Sequence, residues 1–336
     1  MAATTAGIEE SSLGQEKRKG FLADFFTRLV KEKPLGMAGG IVVLILIVTA
    51  IFAPVMAPYE VNQPFPLDRL TAPWWWGGEA STSGNRYFLG TDNIGRDILT
   101  RIIYGGRITL VVGLSASAIA TLISLIIGLA TGYIGGKFDL IMQRLVDAWM
   151  CFPGLILLIL LVSVLGAGLW QMIFALSLMG IGGSRSIRGP VMAIRNEVYV
   201  EAARSVGASP WRIIMRHIFP NVLPITIVLF TTRMPGIILS EASLSFLGLG
   251  VPPPEPSWGR MLSGTARFFM IKAPWMAIWP GLAITIVVYS VNVFGDAVRD
   301  LLDPRMRGGV GRYSGSKVAK RRAEVVKRVQ KEVEAK

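Results

Sequence analysis

The side chains that build metal centres, redox sites and nucleophilic relays are almost missing from this chain. Cysteine occurs once, at Cys151, and histidine once, at His217. One cysteine excludes an intrachain disulfide, and no Cys/His set exists for zinc. A Ser-His-Asp or Cys-His relay would have to run through His217. The phosphate-cradling pattern G-x-x-x-x-G-K-[ST] is absent. Gly315-Ser316-Lys317 comes nearest and has the wrong order, so the chain shows no nucleotide site of its own. Asp92, Asn93 and Asp97 hint at calcium, but the EF-hand spacing and its terminal Glu are missing. No metal site and no cofactor is expected. Charge is scarce too, at 17% of 336 residues.

Apolar residues fill the space. They make up 52% of the chain, and mean hydropathy is +0.51. Such values exceed those of an ordinary soluble domain and indicate several membrane spans. Net charge is +13. A basic balance can mark nucleic-acid binding, but Lys and Arg gather at the edges of apolar runs and in the tails. No nucleic-acid recognition motif accompanies them, so the expected contact is membrane lipid, not nucleic acid.

The expected fold is an all-α integral membrane protein with six transmembrane helices. Residues 1–34 form a basic tail, with an amphipathic surface helix over Phe21–Val30. Leu35–Ala57 is the first span, with Gly36 and Gly40 spaced for close helix contact. Its long polar leader and long apolar run argue against a cleaved signal peptide. Residues 58–106 are a polar segment in which Trp74, Trp75 and Trp76 read as interfacial aromatics or as a stacking surface. Within residues 107–296 follow Leu110–Ile134, Trp149–Leu165 bent near Pro153, and Leu169–Ile181, short and extended by Gly182–Ser186. Gly189-Pro190 is expected to break the chain there. Val222–Phe246 and Trp275–Phe294 complete the set. Arg233 and Glu241 lie inside the fifth span. A mid-membrane charge costs about 2.5–3.5 kcal/mol on insertion scales, so both should face protein or water. They line a translocation path or form a structural ion pair. Residues 297–336 are a basic tail whose stripe Val318, Val325, Val326, Val329 and Val333 lies on lipid, touches a partner or is solvated.

The chain is organised around Glu201–Pro220, EAARSVGASPWRIIMRHIFP, a polar island within loop 190–220. Helix formers at Glu201, Ala202, Ala203 and Arg204 meet Gly207, suited to a left-handed C-cap. Ser209 offers an N-cap oxygen and Pro210 a first helical position. Trp211, Ile214, Met215 and Ile218 are expected on one face of the second helix, Arg212 and Arg216 on another. Pro220 is expected to end it.

This pattern resembles the EAA loop of ABC-importer permease subunits. Phe219 stands where the family usually has Leu. Arg216-His217 with Pro220-Asn221, the block LGTDNIGRD at Leu89–Asp97, and SFLGLG with PPPEPSWG at Ser245–Gly259 are similar to the dipeptide/oligopeptide permease family, in its C-type subunit. The resemblance covers about Phe26 to Pro304. It implies a type I importer fold in which Glu201, Ala202, Ala203, Gly207, Ser209, Pro210, Arg212, Arg216 and Pro220 form a cytoplasmic coupling helix docking a separate ATPase. His217 falls in that docking stretch. The resemblance further implies a second permease subunit, two ATPase subunits and an extracytoplasmic solute-binding protein, with alternating access driven by ATP. Asp92, Arg96, Asp97 and Arg101 are candidate contacts to the binding protein.

Positive charge supports one orientation. The N-tail, Lys137, Arg144, the stretch Arg185–Arg216 and the C-tail fall on one side, so both termini are expected in the cytoplasm of a plasma (inner) membrane. Peptides are the implied cargo, with oligosaccharides, nickel or glutathione as alternatives. An intramembrane enzyme lacks a His/Asp/Glu cluster. An autonomous channel or secondary carrier would need no ATPase.

Overall fold

A computed structural model describes residues 21–76, 81–264, 266–269 and 271–302. The leader before Phe21 and the basic tail beyond Leu302, with its valine stripe, lie outside the described residues. Among the described residues every named element is helical, and one isolated bridge, Thr91 to Asp97, is the only β pairing.

Helix α1 (Phe21–Glu32) leads into α2 (Pro34–Ile51), with Pro34 at the first position, where its missing N–H costs nothing. The short α3 (Ala53–Met56) closes this run. Gly36 faces Ala297, and Gly39 faces the Ser290 carbonyl. Absent side chains thus let α2 lie against the last helix, and Lys33 Nζ reaches Asp300 at 2.5 Å.

Helix α4 (Ile98–Ile134) is the axis of the molecule. Its 37 residues span about 55 Å at 1.5 Å per residue. It starts well before the expected Leu110, because Asp97 caps it and its first turns pack in protein. Small buried residues, Gly113, Ala116, Ser117, Ala120, Gly128 and Gly132, form its packing faces. A Cβ at Gly128 would stand 2.8 Å from Ile187 Cβ, so glycine sets how closely the neighbouring helix approaches.

Gly135 and Gly136, both at positive φ, turn the chain into α5 (Gly136–Met150) and α6 (Gly154–Leu165). These two meet at 88°, across Cys151–Pro153, at the expected bend. Then come α7 (Leu169–Leu178), a 3-10 turn at Ile181–Gly183, and α8 (Ser184–Arg195). Pro190 does not break α8, contrary to the pattern-based expectation. It removes one backbone bond, while Ile187 and Val191, packed on Gly128 and Gly132, hold the helix on both sides of it.

Helix α9 (Val198–Ser205) and α10 (Pro210–Ile213) flank the elbow. Pro220 does not terminate the second helix either. A π-helical stretch, Ile214–Ile218, widens the backbone before it and continues directly into α11 (Phe219–Phe246). The wider turn accommodates a residue that has no N–H and would crowd the carbonyl four residues back. The bundle ends with α12 (Trp258–Met261), α13 (Ala266–Phe269) and α14 (Trp275–Leu302).

Four described helices are long and apolar enough to cross a membrane, five if the bent pair is one span. The expected count of six is not reached on length. Over Leu169–Ile181 the α-helix has only 10 residues, about 15 Å of rise against about 30 Å of hydrocarbon. Leu44, Ile45, Ile126, Ile156, Val164 and Trp170 are exposed on the bundle's outer faces. On a soluble domain they would form an aggregation surface; on a membrane bundle such faces suit lipid or a partner helix. Inside, Val112, Ala116, Met172, Leu176 and Leu244 form one core cluster and Leu46, Ile238, Trp258 and Val291 another.

Candidate functional site

The elbow is built as its residue types dictate. Gly207 sits at φ +81°. Its N–H donates to the Arg204 carbonyl at 3.0 Å, and the Ala208 N–H to the Ala203 carbonyl at 3.1 Å. This paired closure is a Schellman cap, which needs a left-handed residue at its centre. Ser209 Oγ then accepts from the Arg212 N–H at 3.3 Å, and Pro210 opens α10.

The faces differ from expectation. Ile213 and Ile218 are buried, whereas Trp211 and Met215 are exposed along with Arg212 and Arg216. The expected face was phased on a uniform helix, and the π-helical stretch changes that phase. Val200, Ile213, Ile218 and Val222 pack with Ile187 and Val191 into one cluster. Each such side chain stabilises by about 1.5–3 kcal/mol when fully buried. The underside of the elbow is thereby fastened to α8 and α11. The outer side carries Val206, Trp211 and Met215 in the open, beside exposed Glu201, Ala202, Arg212 and Pro220.

Contacts that the sequence did not announce brace this region. Arg188 grips Asp139 with two bonds, Nε to Oδ1 at 2.6 Å and Nη2 to Oδ2 at 2.5 Å, tying α8 to α5. Arg185 pairs with Asp147 through a single Nη2–Oδ1 contact, tying α8 to α5 a second time. Asn221 Nδ2 donates to the His217 carbonyl at 2.6 Å, and the Tyr199 ring stands 6.0 Å from the His217 ring. The His217 ring is thus half-buried beside Tyr199.

Arg233 and Glu241 are not paired with each other. Arg233 Nη1 donates to Ser124 Oγ at 2.8 Å and to the Ala120 carbonyl at 3.0 Å. Glu241 is buried, with Oε1 accepting from Ser245 Oγ at 2.8 Å and Oε2 without a partner among the described residues. Both turn away from lipid into the α4–α11 interface. The mutual ion pair is thus absent.

The loop before α4 is at the far end of that helix from α8. Asp92 Oδ1 accepts from the Ile94 and Arg96 N–H groups at 3.0 and 2.9 Å, and Oδ2 from Arg96 Nε at 2.7 Å. Asp97 Oδ2 caps the helix through Thr100 N at 2.8 Å, and burial pushes its carboxyl up from the ordinary range. Asp92, Asp97 and Arg101 are all buried, while Arg96 is half-buried. Nearby, Asp68 accepts from Tyr87 Oη at 2.9 Å and from Ser83. Burial alone would raise its carboxyl, but the hydrogen bonds from Ser83, Tyr87 and Ser81 outweigh it and hold it below the usual range. Trp75 and Trp76 are half-exposed and pack against Trp279 and Trp275. Among the described residues no cluster of His, Cys, Asp or Glu could hold a metal.

The described helices thus form a bundle with apolar outer faces and a glycine-capped, exposed elbow at one end. Residues 120–308, more than half the chain, match the family described as binding-protein-dependent transport system inner membrane component. Residues 20–73 match the N-terminal TM domain of oligopeptide transport permease C. Among curated relatives, the glutathione transport system permease protein GsiD of Pectobacterium atrosepticum is 37% identical over 308 residues, covering 91% of this chain and 97% of that protein. The GsiD of an Escherichia coli strain is 38% identical over 284 residues, 84% and 90% of the two chains. Among solved structures, an inward-facing MetNI methionine ABC transporter matches with TM-score 0.46 and 18% identity over 60% of this chain and 96% of that one.

The protein belongs to the binding-protein-dependent ABC importer permeases, in their dipeptide/oligopeptide branch. It is a multi-pass inner-membrane component.

Proposed function

We propose that this permease forms half of a translocation path for peptides, beside a second permease subunit. Two separate ATPase subunits would supply ATP hydrolysis, and an extracytoplasmic binding protein would deliver the cargo. In this reading both termini and the elbow are cytoplasmic, and the loop before α4 is outside. About 55 Å of helix separates the two ends of α4, more than the hydrocarbon thickness, which fits opposite faces of one membrane.

The observation that carries the reading is the elbow: Trp211, Met215 and Val206 exposed on a support whose underside is buried. Exposed apolar side chains on a rigid base suit a partner's cleft. Closure of the ATPase dimer would pull on the elbow. The cluster beneath it would pass that displacement to α8 and α11, and so to α4. Arg233 and Glu241, in the α4–α11 interface, then sit where the rocking helices would line the path.

The test is Gly207→Val, measured for assembly with the ATPase and for transport-coupled ATP hydrolysis in vesicles. Loss of coupling is expected; unchanged values for both would refute the role. A second cargo is favoured by the two GsiD relatives: glutathione, itself a tripeptide. Uptake of labelled glutathione against labelled dipeptides by the complete importer separates the two.

A further inference from the structure

At the loop end of α4 a cleft of about 230 Å³ opens between residues 92–101 and 253–264. Asp92, Arg96, Arg101, Glu255 and Arg260 supply its charges. Three guanidinium groups therefore share one small space. Asp92 is already committed to backbone N–H groups and to Arg96, and Arg101 Nε reaches it only at 3.9 Å. Glu255 is exposed at the rim.

Arg101 is 5% exposed, yet its Nη1 has no partner among the described residues. The Nε of Arg260 is likewise buried and without one. Buried charged donors are costly to leave open. Two of them beside one cleft, under an excess of positive charge, call for an anionic acceptor. A planar guanidinium matches a carboxylate best, because its parallel N–H bonds meet both oxygens. The volume is below that of a typical ligand pocket, so it suits one acidic group and not a whole peptide.

We propose that this cleft is a carboxylate-binding site, with Arg101 and Arg260 donating to a single carboxylate group. The carboxylate is either the free terminus of an arriving solute or an acidic side chain of the docked binding protein. The inference rests on the reading that this end of the bundle faces outside. Its test needs no ATPase, so its failure and failure of the coupling reading are separable.

In one arm, the full chain in lipid nanodiscs is titrated with N-acetyl-dialanine and with its C-terminal amide, read by tryptophan fluorescence. In the other, affinity of the solute-binding protein for the same nanodiscs is measured. If the solute is the source, the acid binds about tenfold or more tighter than the amide, and R260Q abolishes that preference. If the partner is the source, R260Q weakens docking by about tenfold or more and free acetate competes. R101Q should act alike, and R260Q, on a half-buried residue, keeps the test valid if R101Q fails to fold. Equal binding of acid and amide, together with docking unchanged in R260Q, would overturn the proposal.

Discussion

Two polar interruptions of this apolar bundle use similar residues in opposite ways. Both the elbow at Glu201–Pro220 and the loop at Leu89–Arg101 carry Arg, an acidic residue and a glycine at positive φ. In the loop the chemistry turns inward. Asp92, Asp97 and Arg101 are buried, and a Cβ at Gly90 would lie 2.8 Å from the Thr71 carbonyl oxygen. In the elbow it turns outward. Glu201, Arg212, Trp211 and Met215 are exposed, and nothing stands within 4 Å of a Cβ at Gly207. In the loop, Asp92 and Asp97 fold their own chain and only Arg101 keeps a buried open donor among the described residues, whereas Trp211 and Met215 of the elbow stand uncovered.

The sharpest break of this contrast is a pair of glycine substitutions. Gly95→Ala adds a Cβ against the Phe65 backbone at φ +86°. It should cost well above the roughly 1–3 kcal/mol of backbone strain alone, seen as loss of folded protein in detergent. Gly207→Ala meets open space and should cost only about 1–2 kcal/mol, seen as a small shift in melting. A reversed order would refute the contrast. Next, Asp139→Ala removes both charge-assisted bonds to Arg188 and should destabilise the α5–α8 brace by about 1.5–3 kcal/mol, read by thermal unfolding. Trp211→Ala should change stability by no more than about 0.5 kcal/mol while sharply reducing ATPase co-purification; a large stability loss would make the elbow an internal structure like the loop.

The smallest effect is in acid. The folded-state value of Asp68 lies below its unfolded one, so its stabilisation is complete above about pH 4 and disappears as pH falls through the lowered value. Asp68→Asn should remove that acid step from tryptophan-monitored unfolding, and an unchanged step would assign it to another group.

Local chemistry was legible in the sequence. The glycine cap at Gly207, the Ser209 and Pro210 start and the bend near Pro153 follow from residues acting within a few positions of themselves. Prolines misled where packing outweighs propensity: Pro190 stays inside α8, and Pro220 follows a π-helical stretch that alters the phase of the buried face. The grip of Arg188 on Asp139 and the separate settings of Arg233 and Glu241 join residues far apart in the chain, and no short spacing encodes them. Burial of Asp92 and Arg101 was equally hidden, because a charged residue in a polar segment reads as exposed until the fold closes over it.

The most direct measurement of outward coupling is Ser209→Cys in a Cys151→Ser background, probed in the assembled importer and in intact cells. The account predicts that this cysteine crosslinks to an ATPase subunit and stays shielded from impermeant reagents added outside. Labelling from the outside, with no crosslink to the ATPase, would contradict it.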